Sequence, residues 1–184
     1  MSTPDDEATH WALRARSGDR AALERFVRAT QRDVWRFTAH LARVDAADDL
    51  TQETFARALT ALHRFEGRSS ALTWLLSIAR RVVVDQVRME RSRPRISPGV
   101  DWEQAAERRS PGSRFERTVE LNLLLDGLDP ERREALVLTQ VLGLPYAEAA
   151  DVVGCPVGTI RSRVARARDD LLRAEDDGTR SEAG

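Results

Sequence analysis

Tyr146-Ala147-Glu148-Ala149-Ala150-Asp151-Val152-Val153-Gly154-Cys155-Pro156-Val157-Gly158-Thr159-Ile160-Arg161-Ser162-Arg163-Val164-Ala165-Arg166-Ala167-Arg168 reads as two helices joined by a tight turn. The first runs from about Tyr146 to Val153 and stops at Gly154, and Ala150 is small where two helices must cross closely. After Cys155-Pro156 a second helix runs from about Val157 to Leu172. Val157, Ile160 and Val164, at steps of three and four, are its inward anchors. Arg161, Ser162, Arg163, Arg166 and Arg168 fall mainly on its other faces, and no acid lies between Val157 and Arg168. A helix so presented suits a DNA major groove, its first turns reaching base edges. The Thr159 hydroxyl beside the positive helix end suits a phosphate. The competing reading is a plain helical hairpin with a solvated arginine face. Pro145 stands where a Ser or Thr cap is usual, and Cys155 is expected as a small buried turn residue.

Upstream the pattern stays helical. Asp129-Pro130-Glu131 has an N-cap acid, a proline at the first helical position and an acid in the first turn. The helix it opens carries Ala135, Leu136, Leu138, Thr139 and Leu142 and ends at Gly143, while Val119–Leu128 is leucine-rich. Residues 92–117 hold three Pro, two Gly and four Ser around a lone Trp102, the composition of a linker. Before it, Leu23, Val27, Thr30, Val34, Phe37 and Leu41 form one amphipathic stripe, and Ala47, Leu50, Thr54, Ala58 and Leu62 a second. A loop-forming break spans Phe65 to Ser70. A third helix, about Ala71–Arg91, turns Leu72, Leu75, Leu76, Ala79, Val82, Val83 and Gln86 inward. The expected fold is all-α: two small helical domains, residues 8–92 and 118–174, joined by a flexible linker at 93–117, the second containing the helix-turn-helix. The final dozen residues are expected to be disordered.

Charge distribution says more than its sum. The net charge is −1 and all 29 basic residues are arginine. Leu76–Pro98 holds six arginines against Asp85 and Glu90, whereas Asp45, Asp48, Asp49 and Glu53 make an acidic patch. Two basic stripes and one acidic patch imply two kinds of partner. A single cysteine, a polar N-terminus and no apolar run near the ~20 residues of a membrane span place the chain in the cytoplasm as an expectation. His10, His40 and His63 are scattered, with no zinc-type spacing, phosphate loop or nucleophile elbow, so no enzyme, metal site or cofactor is expected.

Three stretches, in order, carry a family resemblance. Asp48-Asp49-Leu50-Thr51-Gln52-Glu53-Thr54-Phe55 resembles the polymerase-docking helix of extracytoplasmic-function sigma factors. Phe65-Glu66-Gly67-Arg68-Ser69-Ser70-Ala71-Leu72-Thr73-Trp74-Leu75 resembles their promoter-melting loop and the helix after it. Cys155 to Arg168 resembles their C-terminal DNA-reading helix. The likeness covers nearly the whole chain outside the linker and tails, and the actinobacterial sigma-C group looks most similar. It implies a non-enzymatic factor that docks on the large subunits of core RNA polymerase and directs it to promoter DNA, with an anti-sigma protein as a further candidate partner.

The resemblance assigns docking to Asp45, Asp48, Asp49, Gln52 and Glu53, which share a face opposite the apolar stripe and suit a basic partner. It assigns −10 element contacts to Phe65, Gly67, Ser69, Ser70, Trp74, Ile78, Arg81, Asp85 and Arg88. On that face an aromatic interleaved with arginines can stack an unpaired base and hold its strand. The alternative is that Trp74 caps the core and the arginines are solvated. Many family members carry Asn where Arg81 stands. The −35 contacts fall to Val157, Gly158, Thr159, Arg161, Ser162, Arg163, Arg166 and Arg168. An extended linker of this length spans roughly 90 Å, enough for two promoter elements ~70 Å apart. The rival reading is a helix-turn-helix regulator binding operators by itself, which leaves the acidic helix and the Trp74 face without a use.

Overall fold

The computed structural model describes residues 4–92 and 113–182, all of whose regular elements are helical. The core of the expected linker, including Trp102, lies outside them. In chain order the elements are α1 (Pro4–Arg16), α2 (Arg20–Leu41), α3 (Ala47–Ala61), α4 (Ala71–Ser92), α5 (Ser113–Leu125), α6 (Pro130–Leu136), α7 (Tyr146–Val153) and α8 (Val157–Glu182).

The first four helices pack their apolar stripes together, with Leu50, Val82 and Val83 forming a small cluster of their own beside the main core. Asp19 caps α2 by accepting a hydrogen bond from the Ala22 amide at 3.0 Å. The stripe of α2 is buried at Phe26, Thr30, Val34 and Phe37, with Leu23, Val27 and Leu41 at its margin. The α3 stripe is buried at Ala47, Leu50, Thr54 and Ala58, and Leu62 closes it. On α4, Leu75, Leu76, Ala79, Val82 and Val83 face inward, while Leu72 and Gln86 are only half-buried. Buried hydroxyls find local acceptors: Thr30 donates to the Phe26 carbonyl and Thr54 to the Leu50 carbonyl.

α1 was not anticipated as a helix of its own. Its signals are nonetheless ordinary: acids early, Arg14 and Arg16 in the last turn, and Ala8, Ala12 and Ala15 buried. Two further differences concern lengths. α5 begins at Ser113, inside the stretch expected as linker. α8 continues to Glu182 rather than ending near Leu172, since no strong breaker precedes Gly178.

In the C-terminal domain Asp129 caps α6 through a 3.0 Å bond from the Glu131 amide, with Pro130 at the first position. α6 then loosens into a π-turn, Val137–Val141, and stops at Gly143, whose φ is +76°. Leu125, Ala135, Val137, Leu138, Ala149, Ile160, Val164 and Ala167 form its core.

The two domains touch. α4 packs on α7, and α2 packs on α5 and α6. Arg80 of α4 bonds Glu134 of α6 at 2.7 and 3.2 Å, with the Glu134 side chain only 10% exposed.

Candidate functional site

The acidic face stands clear of the core. Asp45, Asp48, Asp49, Gln52 and Glu53 are all exposed, on α3 and the short turn before it. Asp45 is held by a two-point bond from Arg43 at 2.8 and 3.1 Å, and that bond lowers its carboxyl pKa. Asp48 accepts the Trp35 indole N–H at 2.7 Å. Glu53 accepts from Arg57, which also reaches Asp85 on α4. Both bonds raise the Arg57 pKa, that to Asp85 most. Asp49 makes no side-chain bond among the described residues and offers its charge outright.

The loop before α4 is tied down by α1. Arg16 donates to the Phe65 carbonyl at 2.9 Å, and the Thr9 hydroxyl accepts the Ala71 amide at 2.9 Å, so both loop ends are clamped. Gly67 adopts φ +71°, a left-handed turn in which a side chain is strained. Ser70 caps α4, its hydroxyl accepting the Thr73 amide at 3.1 Å. Thr9 and Arg16 belong to the candidate site as positioning residues. Sequence reasoning missed them because nothing in a 49- or 62-residue separation announces a clamp.

Of the candidate −10 residues, Gly67, Arg81, Asp85 and Arg88 are exposed, and Ser69, Ser70, Trp74 and Ile78 are half-buried. Phe65 departs from its expected role as a contact residue. It is 3% exposed and packs beneath Trp74, ring centroids 4.9 Å apart. Trp74 therefore joins both readings: its inner side meets the core and its outer side remains part of the surface. Ser70 and Thr73 donate hydroxyl bonds to Glu148 of α7 at 3.3 and 2.7 Å, so a carboxylate of the second domain occupies this end of the face.

The helix-turn-helix forms as its sequence implies. Gly154 is left-handed, φ +76°, and the Gly154 and Cys155 amides both bond the Ala150 carbonyl, at 2.8 and 3.1 Å. Pro145 opens α7 without a side-chain cap, and Cys155 is half-buried. The inward stripe of α8 is Ile160, Val164 and Ala167. Val157, expected as an inward anchor, is instead 39% exposed. Gly158, Arg161, Ser162, Arg166 and Arg168 are exposed, and Thr159 is half-buried.

The arginines are not equivalent. Arg163 is half-buried and bonded to Glu131, and Arg168 donates to Gln140 at 2.8 Å. Arg161 and Arg166 make no side-chain bond among the described residues. No group of three His, Cys, Asp or Glu converges on a metal position among those residues. None of the described helices is long and apolar enough to cross a membrane.

Two conserved-domain models match the chain: Sigma-70 region 2 over residues 26–93 and Sigma-70, region 4 over residues 118–171. These define the class as a two-domain sigma factor, and a stand-alone operator-binding regulator does not carry region 2. The chain is 58% identical to the ECF RNA polymerase sigma factor SigC of Mycobacterium tuberculosis over 169 residues, 91% of each. It is 32% identical to the ECF RNA polymerase sigma-E factor of Escherichia coli K12, across 86% of this chain and 88% of that one. Among solved structures, CnrH in complex with the cytosolic domain of CnrY superposes with a TM-score of 0.72 at 26% identity, covering 94% of this chain and 99% of that one. The sigma factor RpoE in complex with the anti-sigma factor NepR from Bartonella quintana gives 0.64 at 27% identity, covering 82% and 94%. The chain belongs to the extracytoplasmic-function RNA polymerase sigma factors. It is not an enzyme. Its regions 2 and 4 serve promoter recognition and RNA polymerase binding.

Proposed function

We propose the following division of that work among the residues. Residues 8–92 dock on core polymerase through Asp45, Asp48, Asp49, Gln52 and Glu53, an exposed acidic face suited to a basic partner surface. The same domain receives unpaired bases of the −10 element against Gly67, Ser69, Ser70, Trp74 and Ile78. Arg81 and Arg88 hold the strand beside Asp85, and Phe65 backs Trp74 from below. Residues 118–174 read the −35 element as duplex, with Arg161, Ser162 and Arg166 foremost and Val157, Gly158, Thr159 and Arg168 at the margins. Arg163 braces α8 against Glu131 instead of contacting DNA. Residues 93–117 span the two elements. An anti-sigma protein is a further partner, a reading supported by the structural neighbour solved with NepR. The compartment is the cytoplasm, where core polymerase works.

The observation that carries this reading is the exposed face of α8. A stripe buried to within 1% of full coverage leaves Arg161 and Arg166 outward and unengaged, in the acid-free run from Val157 to Arg168. In-vitro transcription with purified core polymerase on a genomic promoter library tests it. Start sites preceded by one shared −10/−35 pair are expected. Absence of any stimulation of core polymerase overturns the assignment.

A further inference from the structure

The contact between α2 and α5 is polar and buried. His40, in the last turn of α2, is 3% exposed, and Asn122 of α5 is 8% exposed. The Asn122 amide donates from Nδ2 to the Ala39 carbonyl at 2.7 Å, which turns its Oδ1 toward His40 Nδ1, also at 2.7 Å. An amide oxygen only accepts, so Nδ1 carries the proton and Nε2 keeps the lone pair of a neutral ring. The His40 carbonyl accepts from Arg133 Nε at 2.6 Å, so α6 joins the same junction.

We propose that the His40–Asn122 contact is an acid-sensitive latch between the two domains, shut while the imidazole is neutral and released when it gains a proton. A second N–H at Nε2 would bring a full charge into a site removed from water. The charged groups facing the ring are Arg36 on its own helix and Arg133 from α6, both cations. α5 contributes the neutral Asn122. Asp126, just after α5, is spent on Arg133 and is 62% exposed, and Glu134 of α6 is bound to Arg80 of α4. Burial first, then the two guanidiniums, hold the His40 pKa below its ordinary value; the Asn122 bond opposes them without reversing the direction.

The sign follows from linkage. Separation of the domains returns the ring to water and to an ordinary pKa of about 6.5. Closure is therefore fully favoured above that pH and weakens below it, by up to about tenfold in the closed-to-open ratio per pH unit while the closed ring stays neutral. Opening also withdraws Glu148 from Ser70 and Thr73, clearing that end of the −10 face. The latch is thereby a regulator of the promoter-binding surfaces assigned above, and its functional consequence rests on that assignment.

The test uses the full chain with Cys155→Ser and dyes on Glu24→Cys and Asp169→Cys, both exposed sites in different domains. Energy transfer is followed between about pH 7.5 and 5.5, the range that brackets an imidazole, alongside binding of a single-stranded −10 oligonucleotide. The expected result is a distance that grows as pH falls. His40→Asn keeps a donor for Asn122 without a titrating group and stays closed throughout. Asn122→Asp supplies a counter-charge to the imidazolium and reverses the slope. A wild-type distance that is constant over this range overturns the latch, as does a His40→Asn opening with the wild-type midpoint. If His40→Asn fails to fold by circular dichroism, the slope of Asn122→Asp decides, and an unreversed slope counts against the latch. Opening with no gain in oligonucleotide binding leaves the latch standing and sinks the −10 assignment instead.

Discussion

Arg161→Ala and Arg163→Ala, two residues apart on α8, are expected to fail in different ways. Arg161 is exposed and unengaged in the second turn, about 6 Å along the axis from the helix start at 1.5 Å per residue. A bidentate Arg–guanine contact there is worth ~1–3 kcal/mol of discrimination, a factor of roughly 5 to 150 between the preferred base and its competitors. Arg163 lies on the flank of the buried stripe, its side chain 18% exposed, paired with a Glu131 side chain that is 66% exposed. A pair so wet on one side contributes about 0.2–1 kcal/mol to stability. Removing it should lower the melting temperature of the C-terminal domain by roughly 1–8 °C with base preference intact. Arg166 sits about 8 Å farther along the helix and is expected to hold phosphate, so its loss weakens all sequences alike and lowers the salt slope by about one. The assay is binding of the three variants to single-base −35 duplexes across a salt series, with thermal melts of each protein. If Arg166→Ala relaxes preference at one base while Arg161→Ala weakens all alike, the helix enters the groove in another register. If Arg163→Ala removes preference without changing the melt, the Glu131 brace is not its role.

Charge reversal at Asp48, Asp49 and Glu53 together should abolish core-polymerase pull-down while circular dichroism stays native, since surface charges typically move stability by only ~0.5 kcal/mol; retained binding would move the docking surface elsewhere. Asp49→Arg is the cleanest single change, because Asp48 and Glu53 also hold Trp35 and Arg57. Trp74→Ala should impair strand opening, read by permanganate at the −10 element, more than closed-complex formation, because base stacking worth ~1–3 kcal/mol exists only after unpairing; normal melting would make Trp74 a core residue alone. Gly154→Ala should cost about 1–2 kcal/mol, entirely through its φ of +76°, since no atom lies within 4 Å of the added methyl; an unchanged melt would show that the turn relaxes.

Much of this was legible from residue order because the information is local. Helical periodicity placed the buried stripes of α2, α3 and α4, since a 3.6-residue repeat alone fixes which side chains share a face. Asp129-Pro130 and Gly154 announced one helix start and one turn through backbone preferences that need no neighbours. The acidic face of α3 and the arginine face of α8 followed for the same reason.

What local order did not contain is which groups meet across the fold. Phe65 reads as a loop aromatic, yet packing puts it under Trp74, and Val157 reads as an anchor, yet it is 39% exposed. Thr9 and Arg16 clamp a loop 62 and 49 residues further along the chain, and Arg163 meets Glu131 across a separation of 32 residues. His40 and Asn122 are 82 residues apart, and each alone reads as an ordinary polar residue. Periodicity sets the direction of a side chain about its own helix axis. Only the placement of a second helix decides whether that direction ends in water, in a core, or on a particular partner, and this long-range choice is what the tertiary structure settled.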